Sequence, residues 1–190
     1  MKKQNLLLAI LLILALLSCD SNSDAETAKG QSGRTTTNEI EQRLVELGIE
    51  LPEPSNPVAN YVNAVTTGNL VFLAGKGPKK ADGEYITGKV GADLTEKEGY
   101  DAARVAGINQ LAALKAEIGN LDRVKRIVKV TGMVNCTPDY GNQPEVINGF
   151  SDLMVEVFGD KGKHARAAVG MGSLPRNIAV EVEMVVEIEE

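Results

Sequence analysis

The sequence predicts a two-layer α+β domain in which two helices pack on one face of a mixed sheet. Three observations predict it. Thr95-Glu-Lys-Glu98 has the form of a capping box and opens a helix that runs to Ile118, closed by Gly119. Pro144, two residues after Asn142, opens a second helix through Phe158, closed by Gly159. The final stretch, IAVEVEMVVEIEE, alternates apolar residues with Glu181, Glu183 and Glu187, as a strand with one buried face must.

The remaining elements follow in order. Asn38 to Leu47 reads as a short helix with an Asn cap, Ile40, Leu44 and Leu47 on one side, and Gly48 as its stop. Prolines in LPEPSNP then force extended chain. Tyr61–Val65 and Leu70–Ala74 form a hairpin around Thr67-Gly68-Asn69. GKGPKKADGEYITG is a loop with a short strand near Tyr85–Thr87, and Lys76, Lys79 and Lys80 read as solvated loop charges. The long helix buries Ala102, Val105, Ala106, Ile108, Leu111, Ala112 and Leu114, and its alanines allow close approach to a sheet. Arg126–Asn135 is a strand. The second helix turns Val146, Ile147, Phe150, Leu153, Met154 and Val157 inward. Ala165–Met171 is the penultimate strand, because Gly170, Gly172 and Pro175 lie too close together for a helix. The uncovered sheet face carries Glu181 and Glu183 among Ala168, Gly170 and Val185, small or apolar groups that another subunit would cover, so a homo-oligomer is expected.

The chain begins with Lys2, Lys3 and an unbroken apolar run from Leu6 to Leu17. Twelve residues are too few for a helix across a bilayer, which needs about 20, and suit the core of a signal peptide. The run ends Leu16-Leu17-Ser18-Cys19, which resembles a bacterial lipobox. That resemblance implies a leader over residues 1–18, lipidation of Cys19, export, and attachment to the bacterial cell membrane through lipid alone. Residues 19–37 are polar, with almost nothing to bury, and read as a tether. Residues 38–190 form one domain.

The chain carries a formal net charge of −6. Loss of the leader removes two lysines and no acid, leaving 18 basic against 26 acidic residues, a net charge of −8. An acidic body without a basic stripe or a tryptophan argues against nucleic-acid binding. With Cys19 lipidated, Cys136 is the one remaining thiol and His164 the one histidine, a set too sparse for a disulfide, a zinc site or a His-dependent nucleophile. No metal or other cofactor is expected.

One stretch, HARAAVGMGSLPRN, places Arg166 on a strand face shared with His164, Ala168 and Gly170, while Ala165, Ala167, Val169 and Met171 form the other. A guanidinium among small residues is either a solvated edge charge or a fork left open for an acid group.

Larger motifs decide between these. HARAAVGMGSLPRNIAVEVE, VINGFSDLMVEVFG and YVNAVTTGNLVFLAG resemble the RidA/YjgF family, also called endoribonuclease L-PSP-like, across Tyr61 to Glu187. The resemblance implies a chorismate-mutase-like fold and a homotrimer with three clefts between subunits. It also implies hydrolysis of enamines and imines such as 2-aminoacrylate. On this resemblance Arg166 grips the substrate carboxylate, Glu181 orients or activates the attacking water, and Tyr61 and Asn148 line the cleft. Two positions depart from the pattern. Ala168 stands where a cysteine is common, and Ala74-Gly75-Lys76 replaces a Ser-Gly-Gln-like stretch.

Each residue also has a plainer reading. Glu181 is one of three glutamates on an outward face, Tyr61 a ring anchoring the hairpin, Asn148 a residue bonded locally in its helix, and Cys136 a small buried group. His164 shares the face of Arg166, where it is either a ligand contact or, as is commoner for a lone exposed histidine, incidental. Three functions are expected in descending order: a deaminase-like hydrolase, a lipoprotein that binds a small carboxylate without turnover, and a ribonuclease.

Overall fold

The computed structural model describes residues 38–189. The expected leader, Cys19 and tether lie outside them. Three α-helices are present among the described residues, α1 (Glu39–Glu46), α2 (Glu96–Ile118) and α3 (Gln143–Phe158). Five strands, β1 (Ala64–Thr67), β2 (Leu70–Lys76), β3 (Val124–Asn135), β4 (Ala165–Met171) and β5 (Val180–Ile188), form one sheet in the order β1-β2-β5-β3-β4.

The topology follows from connection lengths. Gly68 (φ 56°) and Asn69 close the hairpin directly, with Thr67 opposite Leu70. β3 and β4 run parallel, the arrangement that a helical crossover such as α3 permits. β5 returns last and inserts antiparallel between β2 and β3. The expected strand near Tyr85–Thr87 is reduced to isolated bridges, Lys79 with Tyr85 and Thr87 with Ile178.

The predicted capping box of α2 forms in full: Thr95 Oγ1 accepts from the Glu98 amide, and Glu98 Oε2 accepts from the Thr95 amide. The buried side of α2 is richer in small residues than expected. Ala103, Gly107, Gln110 and Ala113 lie inside, while Val105 and Ile108 are half-exposed. Glycines explain how closely the helices approach: a Cβ at Gly107 would meet Leu153, and one at Gly149 would collide with the Tyr100 carbonyl oxygen. All six predicted inward residues of α3 are buried.

The core lies between these helices and one sheet face, where Val71, Val130, Val134, Val182, Met184 and Val186 meet Leu111, Leu114, Ile147, Phe150 and Leu153. The other face carries Val65, Phe72, Val169 and Val185 beside Glu181 and Glu183. Val65, Phe72 and Val169 are exposed, at 54%, 45% and 41%.

Register corrects the faces. Arg166 pairs with Val130 and Ala168 with Gly132, residues whose partners on β5 are the buried Met184 and Val182. Side chains of register partners share a face. Arg166, Ala168 and Gly170 therefore lie on the helix-bearing side, and Val169, opposite Met133 and hence Glu181, on the bare one. The strand pattern fixes two faces but not which one a helix covers.

Candidate functional site: two separated clusters

Arg166 sits on β4, at the sheet edge, half-buried. Its Nη1 donates to Asn148 Oδ1 and to Ser151 Oγ, both at 2.9 Å, and both partners are on α3. All its partners are neutral, and no ion pair among the described residues includes it. The guanidinium thus keeps its full charge with part of its fork bound, over a shallow depression of about 220 Å³ shared with Val155, Lys163 and His164. Asn148 is the sixth residue of α3 and is exposed, so the local bond expected near the helix start gives way to this contact with Arg166.

His164 extends the chain of bonds. Its Nδ1 lies 2.7 Å from the Gly162 carbonyl, which can only accept, so Nδ1 carries the hydrogen. Nε2 then accepts from the Ser151 hydroxyl at 3.1 Å, whose oxygen in turn accepts from Arg166. Burial holds the imidazole below its ordinary pKa; the Gly162 bond opposes this and the Arg166 charge adds to it. The histidine is therefore a neutral support behind the arginine.

Tyr61 and Glu181 meet elsewhere. Both line a cleft of about 330 Å³ with Gly75, Lys76, Lys79 and Arg176 among its walls. Tyr61 precedes β1, as the first strand begins at Ala64 rather than at 61, and its ring is half-exposed over the cleft. The Glu181 carboxylate lies over Gly75, where any side chain would collide with it. No hydrogen bond or ion pair holds it among the described residues. Burial, then the charge of Glu183, raises its pKa above the ordinary carboxylate range.

A bulge between Leu73 and Lys76 re-aims the end of β2 into this cleft. Two residues of α2 that the sequence reading did not single out hold that geometry. Buried Gln110 donates from Nε2 to the carbonyls of Ala74 and Val182, groups at the β2–β5 bulge. Asn109 Nδ2 donates to Gly77 O (3.1 Å) and Lys79 O (3.0 Å) and so pins the loop. A polar pair interrupting the alanine stripe was the available signal.

The lysines also need correction. Lys80 is a solvated charge paired with Asp82, but half-buried Lys76 donates to Asn63 Oδ1, and burial lowers its pKa. Arg176 completes the cleft from a turn in which it and Asn177 both hold left-handed backbone (φ 54° and 57°), a strain of about 1 kcal/mol or more each.

The four expected residues thus fall into two pairs, Arg166 with Asn148 and Tyr61 with Glu181. By register, Arg166 and Glu181 point to opposite faces of one sheet. Cys136 is a buried thiol beneath Gly170, 3.7 Å from Gln143 Nε2.

A sheet with β5 inserted between the β1–β2 hairpin and the parallel β3–α3–β4 unit, helices on one face and the other bare, defines a chorismate-mutase-like protein. The chain belongs to the YjgF/RidA family: residues 41–188 match the family described as "YjgF/chorismate_mutase-like, putative endoribonuclease". It is 44% identical over 158 residues to Protein TCP17 of Trypanosoma cruzi, covering 83% of this chain and 96% of that one. It is 31% identical over 142 residues to the 2-iminobutanoate/2-iminopropanoate deaminase of Dermatophagoides farinae, covering 74% and 95%. Among solved structures it is similar to Atu1372 of Agrobacterium tumefaciens, a protein of unknown function, with 43% identity, a TM-score of 0.73, and coverage of 79% and 94%.

Proposed function

We propose that the protein hydrolyses a small imino acid at clefts formed where one protomer's Arg166 pair faces a neighbour's Tyr61–Glu181 pair. The observation that carries this reading is the division itself: a charged fork with no acid partner among the described residues and a half-buried carboxylate likewise without one lie on opposite faces of a single sheet. The bare apolar face and the free edge of β4 are surfaces that such an assembly would cover. Three protomers in a ring close the arrangement as a homotrimer.

The chemistry needs no cofactor. Arg166 binds the substrate carboxylate through the part of its fork that Asn148 and Ser151 leave open, which fixes the imine carbon. Glu181, ionised, accepts a proton as water forms the new C–O bond, and that proton passes to nitrogen. The new hydroxyl then gives its proton to nitrogen as the C=O bond forms and the C–N bond breaks, releasing ammonia and a 2-keto acid. The identity to a named imino acid deaminase supports this class of substrate.

The test is to generate 2-aminoacrylate from serine with a dehydratase and follow pyruvate. Acceleration that Arg166→Ala abolishes is expected. No acceleration, with a small carboxylate still raising the melting temperature of the wild type alone, would assign the clefts to binding without turnover. We further propose that the protein is exported and held at the membrane by lipid on Cys19. Membrane fractionation tests this, since Cys19→Ser should release the chain.

A further inference from the structure

The cleft holding Glu181 has a charge that hydrolysis of a simple imino acid does not require. Three cations, Lys76, Lys79 and Arg176, line it against one carboxylate. The protein is acidic overall, so this concentration runs against its background. None of the three makes an ion pair among the described residues, and the partner of Lys76 is the neutral Asn63 Oδ1.

The arrangement is also built rather than loose. Asn109 fixes the carbonyls of Gly77 and Lys79 against α2. The turn of Arg176 is tied through Asn177, whose carbonyl accepts from the Gly88 amide at 2.8 Å and whose side chain accepts from buried Asn135 Nδ2 at 3.0 Å. Backbone held in the left-handed region at two successive non-glycine residues persists only where surroundings impose it. Fixed cations without counter-ions favour an anionic ligand.

We propose that this wall is a subsite for a second acid group, so that the substrate is a dianionic imino acid bearing a carboxylate on its side chain. The inference rests on the cleft reading above: Arg166 of one protomer takes the carboxylate beside the imine, and Lys76 with Arg176 of the next takes the distal one. Glu181 lies between them, beside the imine carbon. A monoanionic substrate would leave the wall unused, whereas a second carboxylate gains charge-assisted contacts.

The isosteric keto acids 2-oxopentanoate and 2-oxoglutarate, which differ by a methyl against a carboxylate, separate the possibilities. Calorimetric titration of the full chain is expected to show 2-oxoglutarate binding about 10-fold more tightly or better, a preference that shrinks as salt is raised. Lys76→Gln and Arg176→Gln should each cut the ratio several-fold, and Arg176→Lys should keep most of it. A ratio near one in the wild type, or one that both neutral variants leave intact, overturns the dianion inference while Arg166-dependent binding preserves the cleft reading. If Arg166→Ala binds both acids as the wild type does, or if neither acid binds, the cleft reading fails and this inference with it. Lys79→Gln, on the loop pinned by Asn109, replaces either variant that melts early.

Discussion

Arg166 is held to Asn148 by a single 2.9 Å bond from Nη1 to Oδ1, with a second of equal length to Ser151, and no carboxylate among the described residues neutralises it. The sheet edge therefore carries a positioned cation whose remaining donors are available. Arg166→Ala should lower kcat/KM about 100-fold, the scale of a charged hydrogen-bonding group lost from a site. Arg166→Lys keeps charge without the fork and should recover only part of this. Asn148→Ala removes one neutral partner and should cost about fivefold. Steady-state kinetics on the three variants checks the order.

In the proposed mechanism Glu181 sets the pH dependence. Its folded pKa is raised, so a proton-accepting role fails as pH falls, with a midpoint above the ordinary carboxylate value of 4.5. Glu181→Gln should remove that limb of the rate profile. For stability the sign is opposite: a raised folded pKa contributes stability below the unfolded value and loses it as pH rises through the folded one. Melting at neutral pH should therefore find Glu181→Gln more stable than wild type.

His164 acts in the other direction. Burial depresses its pKa below 6.5, so the neutral ring contributes stability above that value. The contribution is lost as pH falls from 6.5 through the depressed folded value, when Nε2 can no longer accept from Ser151. His164→Gln should flatten this part of a melting-temperature profile taken from about pH 8 to about pH 5.

Helix approach supplies a stability test of its own. Gly149→Ala would drive a methyl into the Tyr100 carbonyl and should cost about 3 kcal/mol or prevent folding. Gly141→Ala, which meets nothing within 4 Å, should change little. Denaturant titration of both gives the comparison.

Much of this fold was legible because local chemistry and periodicity agree. The Thr95–Glu98 box, the alternation of β5 and the buried stripe of α3 each form as the sequence reads. The faces of β4 were not legible: both are built from small residues, and only α3 decides which is covered. Lys76 was misread because lysines in a glycine-rich loop look solvated, and only the bulge turns this one inward. The contribution of Gln110 and Asn109 escaped because their partners are backbone carbonyls, which leave no sequence trace.

Subunit complementation tests the central claim, that each site draws Arg166 and Glu181 from different chains. Arg166→Ala and Glu181→Gln chains, each strongly impaired alone, would be co-expressed and the mixed oligomers assayed. Random assembly with shared sites predicts recovery of about one quarter of wild-type activity, since one junction in four joins an intact Arg166 to an intact Glu181. Mixed oligomers as inactive as either parent would place both residues in one chain's site and contradict the account.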